Sequence, residues 1–447
     1  MTEKFLLNSP TAERLYHEYA ENLPIIDYHN HISAADVASN KRFRSITEMW
    51  VSADPYKHRL MRISGIPEHF ITGDASDLEK FEKFASVFPY LGGTPVYEWS
   101  LLELRRMFGI DDMPSRDNAI YLYDKMNEML SSPEFRTQGL LSRFGVEYQS
   151  PVASLTDTLD SFDGVNIAPS LRGDNLLLPS AELISQLERQ TASRITDINE
   201  YISAVDKRIG EFCSKGCRFA DHALDDGFSY IPDDGENGDR FKRSLASPLT
   251  GEDKNALASE LLRRLAPIYA RRDMTLLLHM GAKRETSDRL RALAGPVGGY
   301  AAIGRTPTPT DVTNMLGDFE RLGGLPKTLL FPLNMSDMPA LAALGGSFSE
   351  DGVGGKIQLG PAWWWCDHPY GIRSALEAQS SFGILAEFIG MTTDSRSILS
   401  FARHEYFRRI FCSYLAELAE AGRAPDDMDI LSEIVRRVCY SNAKKRI

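Results

Sequence analysis

His29 and His31 stand one residue apart at the end of the apolar run "LPIIDYHNHI", residues 23–32. If that run is a strand, its side chains alternate, so the two imidazoles share one face while Tyr28 and Asn30 take the other. Imidazoles about 6–7 Å apart along one strand face can converge on a divalent ion. With nine histidines in 447 residues, such a pair also arises by chance. A packed or solvated pair therefore stands beside metal ligation as a reading. Asp394, in "GMTTDSR", offers a carboxylate that would complete a three-ligand set and leave positions open for substrate. It is equally suited to capping a helix that begins near Ser397.

Further groups suit the same kind of centre. His222 in "FADHALDD" and His279 in "LLLHMGAK" sit where apolar runs end. Arg172 in "APSLRGD" and Arg396, two residues after Asp394, present planar guanidinium forks that match a carboxylate. Trp363 opens the triple "WWW". It is either a packed rim residue or a wall against a carbon skeleton, with its indole N–H free to meet a hydroxyl. Tyr56 and His58, in "SADPYKHRLMR", could reach over such a centre as part of a lid.

These residues need a scaffold that brings run ends together. Eight short apolar or β-branched runs recur, at 24–32, 145–153, 165–172, 217–224, 274–281, 328–335, 356–365 and 388–396. Amphipathic segments such as 200–216 and 255–272 lie between most of them. Strands alternating with helices imply parallel pairing, and eight such units predict an α/β fold of the (β/α)8 TIM-like barrel type. Reacting groups of that fold gather at the C-terminal ends of the strands. Closure would also make the first and last strands neighbours, setting Asp394 opposite His29 and His31.

Residues 33–144 are too long for one crossover and carry helical stretches at 77–88 and 118–132. They read as a helical insertion, or lid subdomain, after strand one. The division expected is 1–32 for an N-terminal helix and first strand, 33–144 for the insertion, and 145–447 for the rest of the barrel. Terminal helices at 397–422 and 426–443 complete it, punctuated by Gly422 and the Asp426–Asp427 start.

The composition is that of a globular chain, 43% hydrophobic and 25% charged. A net charge of −12 disfavours nucleic acid as a partner, and an anionic substrate would need local arginines or a metal to draw it in. No apolar stretch is long enough to span a membrane, and the N-terminus lacks a signal-peptide pattern. Five widely spaced cysteines fit a reducing, cytoplasmic setting, with Cys213 and Cys217 as buried or half-buried thiols.

With these segments in place, the sequence resembles the uronate (glucuronate) isomerases of the amidohydrolase superfamily. "FLLNSPTAERLYHEYA", "DYHNHI", "APSLRGD", "LHMGAKR", "GKIQLGPAWWW" and "TDSRSILSFARHEYFRRI" carry the resemblance, which runs nearly end to end. It implies reversible isomerisation of D-glucuronate to D-fructuronate and of D-galacturonate to D-tagaturonate. It also implies one divalent metal ion, usually zinc, on His29, His31 and Asp394, with His279 beside it. Arg172 and Arg396 would bind the sugar acid, Trp363 and Tyr56 would shape the pocket, and His222 has no place in the implied set. Asp394, Tyr56 and His279 are the implied catalytic groups. The expected partner is a small uronate, with homo-oligomerisation left open.

Three stretches depart from the family pattern. Asn30 stands where a cysteine is usual, Pro55 where the lid histidine is usual, and Trp365-Cys366 where Phe-Asn is usual. His58 could replace the lid histidine only if the lid bends differently. A rival on the same barrel is a mononuclear metal-dependent hydrolase or lactonase acting on a sugar acid. A two-metal hydrolase is disfavoured, because "RFADH" offers no lysine and the sixth run ends in Asn334. A non-catalytic sugar-acid-binding protein is the rival from another class.

Overall fold

The computed structural model describes residues 2–164 and 166–447. Seven of the eight apolar runs form one parallel sheet among these residues. Its strands are β1 (Ile25–Asn30), β2 (Val146–Ser154), β3 (Ser170–Arg172), β4 (Phe219–Leu224) and β5 (Thr275–Met280), then β8 (Lys327–Pro332) and β9 (Ile357–Leu359). They pair in chain order. Between β5 and β8 lies a separate antiparallel pair that the sequence pattern did not indicate, β6 (Ala282–Lys283) with β7 (Ala302–Ile303). The third run begins at 165, outside the described residues, and β3 starts only at Ser170.

Both faces of the sheet are covered where it carries the site. Every residue of β5 is buried, and the same holds for β1. The helices between strands include Ile198–Ser214 and Gly251–Arg271, close to the amphipathic segments expected there. Between β1 and β2 the chain is helical, with Pro55–Ile63, Asp77–Val87, Pro95–Glu103 and Ala119–Met129 among its elements. Asp77–Val87 starts with a reciprocal capping box between Ser76 and Glu79. Ala402–Glu420 and Met428–Arg436 follow the sheet, the first ending at a left-handed Gly422 and the second capped by Asp427.

Two runs correct the sequence reading. The seventh strand stops at Leu359, because Gly360 and Pro361 follow and proline has no N–H for a ladder. Trp363 therefore lies beyond the strand, and Trp364–Cys366 forms a tight helical turn. The eighth run, 388–396, forms no strand at all. It docks on β1 instead: Asp394 N–H donates to the His29 carbonyl (3.1 Å), and His31 N–H donates to the Ser395 carbonyl (2.9 Å).

Side chains take the place of the missing ladder. His29 N–H donates to Thr392 Oγ1 at 2.9 Å. That hydroxyl also lies 2.7 Å from the Asp27 carboxylate and 2.7 Å from the His29 carbonyl. Asp27, fully buried, accepts in addition from Thr393 N–H (3.2 Å) and pairs with His404 Nε2 (3.2 Å). One carboxylate thus ties β1, the 388–396 segment and the helix Ala402–Glu420 together.

Asp27→Ala removes all three contacts at a site without water access, so it should destabilise the fold by about 3 kcal/mol. Urea unfolding measures this through the midpoint at constant slope. A change within about 0.5 kcal/mol, typical of an inert surface substitution, would show that the two backbone bonds suffice without the carboxylate.

Candidate active site

His29 and His31 point to one face of β1, toward the end of the sheet where the strands terminate. Asp394 Oδ1 lies 3.4 Å from His29 Nε2 and 3.0 Å from His31 Nε2. Asp394 holds this place with φ +46°, a left-handed backbone that side chains rarely adopt. The cost of that conformation, roughly 1–3 kcal/mol, is borne by the docking bonds described above. Candidate ligand atoms of His29, His31 and Asp394 all lie within 4.8 Å of one another, and so do those of a second group, His29, Asp221 and His279. His29 Nδ1, Asp221 Oδ1 and His279 Nε2 are buried without a hydrogen-bond partner among the described residues. The donor set and these orphaned atoms suit a divalent cation.

A cavity opens above this cluster. His31, Arg172, Asp174, Asp221, His279, Arg284 and Arg396 supply its polar wall, and Tyr56, Trp363 and Trp364 its aromatic one. Arg172 Nε and Nη2 lie 3.1 and 3.0 Å from Asp174 Oδ2, and its Nη1 is 3.4 Å from His31 Nδ1. The Arg396 guanidinium has no hydrogen bond or ion pair among the described residues. Three guanidinium groups therefore face the cavity: Arg172 braced by Asp174, Arg284 braced by Asp225, and Arg396 unpaired among the described residues. This is the local attraction for an anion that a chain of net charge −12 requires.

The electrostatics divide the titratable groups. Burial opposes ionisation of Asp394, but its bonds to His29 and His31 win and hold it well below the usual carboxylate range. Burial pushes Asp221 up, with Asp174 and Asp394 adding to it and His29 opposing. Burial lowers the His279 pKa to about 3 and the His31 pKa to about 4, so both rings stay neutral. For His29, burial is outweighed by Asp221 and Asp394, and its pKa is raised. Burial drives the Tyr56 phenol far above its usual range, so it keeps its proton.

Of the residues singled out in the sequence, His29, His31, Tyr56, Arg172, His279, Trp363, Asp394 and Arg396 all line this cavity. His58 does not. Asp54 caps a helix that starts at Pro55, accepting from the N–H groups of Tyr56 and Lys57. Two residues on, His58 is turned about 200° away from Tyr56. The proline thus begins a helix, and only Pro55 and Tyr56 reach the cavity. The roof is completed by the loop that follows Pro296. Gly299 there (φ +79°) packs so closely that a Cβ would come within 2.2 Å of the Pro55 carbonyl.

His222 faces the opposite way, into the helix layer, where its Nε2 meets the Tyr269 hydroxyl at 2.8 Å. The β4 residues that line the cavity are Asp221 and Ala223, and Asp221 sits opposite Arg172 in the β3–β4 register. Trp363 gives its indole N–H to the Phe331 carbonyl (2.9 Å), so only its ring is presented to the cavity, in edge contact with His279. Asp174, Asp221 and Arg284 were not singled out in the sequence. Strand alternation does separate Asp221 from His222, but only the sheet decides which of the two faces inward.

The glucuronate isomerase family model matches residues 1–446. The chain belongs to that family. A uronate isomerase of Caldanaerobacter subterraneus is 37% identical over 459 residues, covering 100% of this chain and 98% of the relative. The crystal structure of a uronate isomerase from Thermotoga maritima superimposes with a TM-score of 0.91 at 28% identity, covering 100% of this chain and 99% of the other. A glucuronate isomerase structure from Caulobacter crescentus shares the fold, with a TM-score of 0.91, 22% identity, and 100% and 96% coverage.

His222 should give a measurable pH dependence outside the His29–His31–Asp394 cluster. Burial lowers its pKa from 6.5 to about 4, partly opposed by Asp174. The unfolded chain then binds the extra proton, so stability is complete above pH ~6.5 and falls as pH drops toward ~4, by about 3 kcal/mol for this one ring. His222→Gln should flatten the fall in unfolding free energy between pH ~7 and ~4.5 by up to about one proton. An unchanged slope in that variant would show that His222 does not titrate on unfolding.

Proposed function

We propose that this uronate isomerase interconverts D-glucuronate with D-fructuronate and D-galacturonate with D-tagaturonate, using one divalent metal ion, zinc. The observation that carries the reading is the Asp394 carboxylate set between the His29 and His31 imidazoles, with unpaired Arg396 two residues along the same segment. His29, His31 and Asp394 would hold the ion, with His279 at its side. When bound, a divalent ion polarises the oxygens at C1 and C2 and so makes the C2 proton easier to remove.

The chain's own groups then have distinct tasks. Isomerisation moves a proton from C2 to C1 while the carbonyl passes from C1 to C2, which needs a base and a stabilised enediol oxygen. Arg396 and Arg172 take the carboxylate of the sugar acid, fixing its far end. Asp394, kept ionised, takes the C2 proton and delivers a proton to C1, while the hydroxyl proton on O2 passes to O1 with Tyr56 assisting. Tyr56 is held neutral and donates a hydrogen bond to a substrate oxygen, while His279 stays an uncharged partner. The rings of Trp363 and Trp364 form a wall against the carbon chain, and Tyr56 and Pro55 form part of a roof that keeps water out.

The same reading covers the architecture. The 388–396 segment occupies the eighth position of a (β/α)8 barrel, bonded to β1 in place of a ladder strand. Residues 33–144 serve as its helical lid, with 1–32 and 145–447 forming the barrel and its terminal helices. All five cysteines are free thiols, which supports a reducing, cytoplasmic setting.

The purified protein should isomerise a uronate, lose that activity to a chelator and regain it with zinc. His29→Ala should show no recovery and should bind no zinc by elemental analysis. In heavy water, solvent hydrogen should appear at C1 of the product. No turnover of either uronate by the metal-loaded protein would sink the functional reading, and product with no deuterium at C1, the C2 hydrogen having moved there intact, would favour hydride transfer over proton transfer.

A further inference from the structure

Arg403 lies near the start of the helix Ala402–Glu420 and is only 1% exposed. Its guanidinium sits 3.8 Å from the ring centre of Trp99 and 4.7 Å from that of Tyr56. Nη1 lies 3.3 Å from the Asp367 carboxylate and 3.3 Å from the Thr393 carbonyl. Nε and Nη2 have no hydrogen-bond partner among the described residues. The charge is therefore held by two aromatic faces and by two acceptors that share one nitrogen.

Each partner belongs to a different part of the cavity's surroundings. Tyr56 is the roof residue of Pro55–Ile63, and Trp99 lies in the helix Pro95–Glu103, edge-on to Tyr56. Asp367 follows the Trp364–Cys366 turn. Thr393 immediately precedes Asp394, and its carbonyl belongs to the peptide plane whose rotation sets the φ of Asp394. Below them Lys57 is buried 2.6 Å from Asp54 and 3.6 Å from Glu103. A neutral side chain at 403 would leave Asp367, Asp54 and Glu103 with Lys57 as their one buried cation in this cluster. Simple packing would be served as well by an apolar residue, since a buried charge is costly to desolvate. What an apolar residue cannot supply is the directional hold on the Thr393–Asp394 peptide.

We infer that Arg403 is a positioning residue: it locks the left-handed Asp394 into its place between His29 and His31 and couples that place to the Tyr56 roof. The inference rests on the metal reading of His29, His31 and Asp394. Arg403 touches neither the cavity nor the reacting atoms, and it acts through Asp394 and Tyr56.

Arg403→Met should weaken zinc binding about 10–100-fold, as loss of a group that orients a metal ligand does, and should lower kcat at saturating zinc by a similar factor. KM should stay close to the wild-type value, since Arg172 and Arg396 are untouched. Arg403→Lys keeps a cation beside Asp367 and Thr393 and should recover part of both losses. A merely structural role would lower the melting temperature and leave zinc affinity and kcat of the folded protein unchanged; that result overturns the inference. Should Arg403→Met fail to fold, Asp367→Asn serves instead, since it frees one anchor of the guanidinium while keeping the shape. Weakened zinc binding there supports the inference, and wild-type affinity and kcat overturn it. His29→Ala in the same titration reports on the metal reading separately: zinc retained there removes that reading and the inference with it. Zinc lost there, with Arg403→Met at wild-type affinity, removes the inference alone.

Discussion

The docking of the 388–396 segment on β1 is the constraint from which the rest of the site follows. Asp27 takes hydrogen bonds from Thr392 and Thr393 and pairs with His404, and the His29 carbonyl takes the Asp394 N–H. These bonds do what a ladder strand would do elsewhere, but they leave the segment free to turn left-handed at Asp394. A regular strand would hold residue 394 extended, with its side chain fixed by the alternation of the pleat. The irregular segment instead swings the carboxylate between two imidazoles.

That arrangement sorts the charges around the cavity. Asp394 stays ionised because two imidazoles share it, whereas Asp221, buried without such bonds, is pushed toward its neutral form. Two carboxyl groups within one small cluster thus lie on opposite sides of their usual range, for reasons of hydrogen bonding rather than depth. The cations are sorted in the same way. Arg172 is braced by Asp174 and approaches His31, while Arg396 stays unpaired, so the cavity keeps positive charge for a sugar acid within a strongly acidic molecule.

The helix Pro55–Ile63 illustrates how one residue redirects a segment. Pro55 begins a helix capped by Asp54. The helix delivers Tyr56 to the cavity and turns His58 toward the scaffold, where burial lowers its pKa to about 4. A histidine in that stretch of sequence is thus not evidence of a histidine in the site. His222 teaches the same lesson on a strand, since its neighbour Asp221 takes the inward face.

The spacing of His29 and His31 was legible because alternation along a strand is a local rule, and so was the parallel α/β character, which depends on apolar runs alternating with helices. Asp394, Arg172 and Arg396 could be picked out as residue types at run ends; the expected barrel closure set Asp394 opposite the histidines, and the family resemblance implied the full grouping. Tertiary structure alone decided the rest. It set the phase of β4, which puts Asp221 rather than His222 at the cavity. It gave the Trp363 indole N–H to the Phe331 carbonyl, and it made the last run a bonded segment rather than a strand. Each of these turns on partners more than thirty residues away or on which face of a strand meets the core. Local periodicity states that two faces exist, but only packing chooses between them.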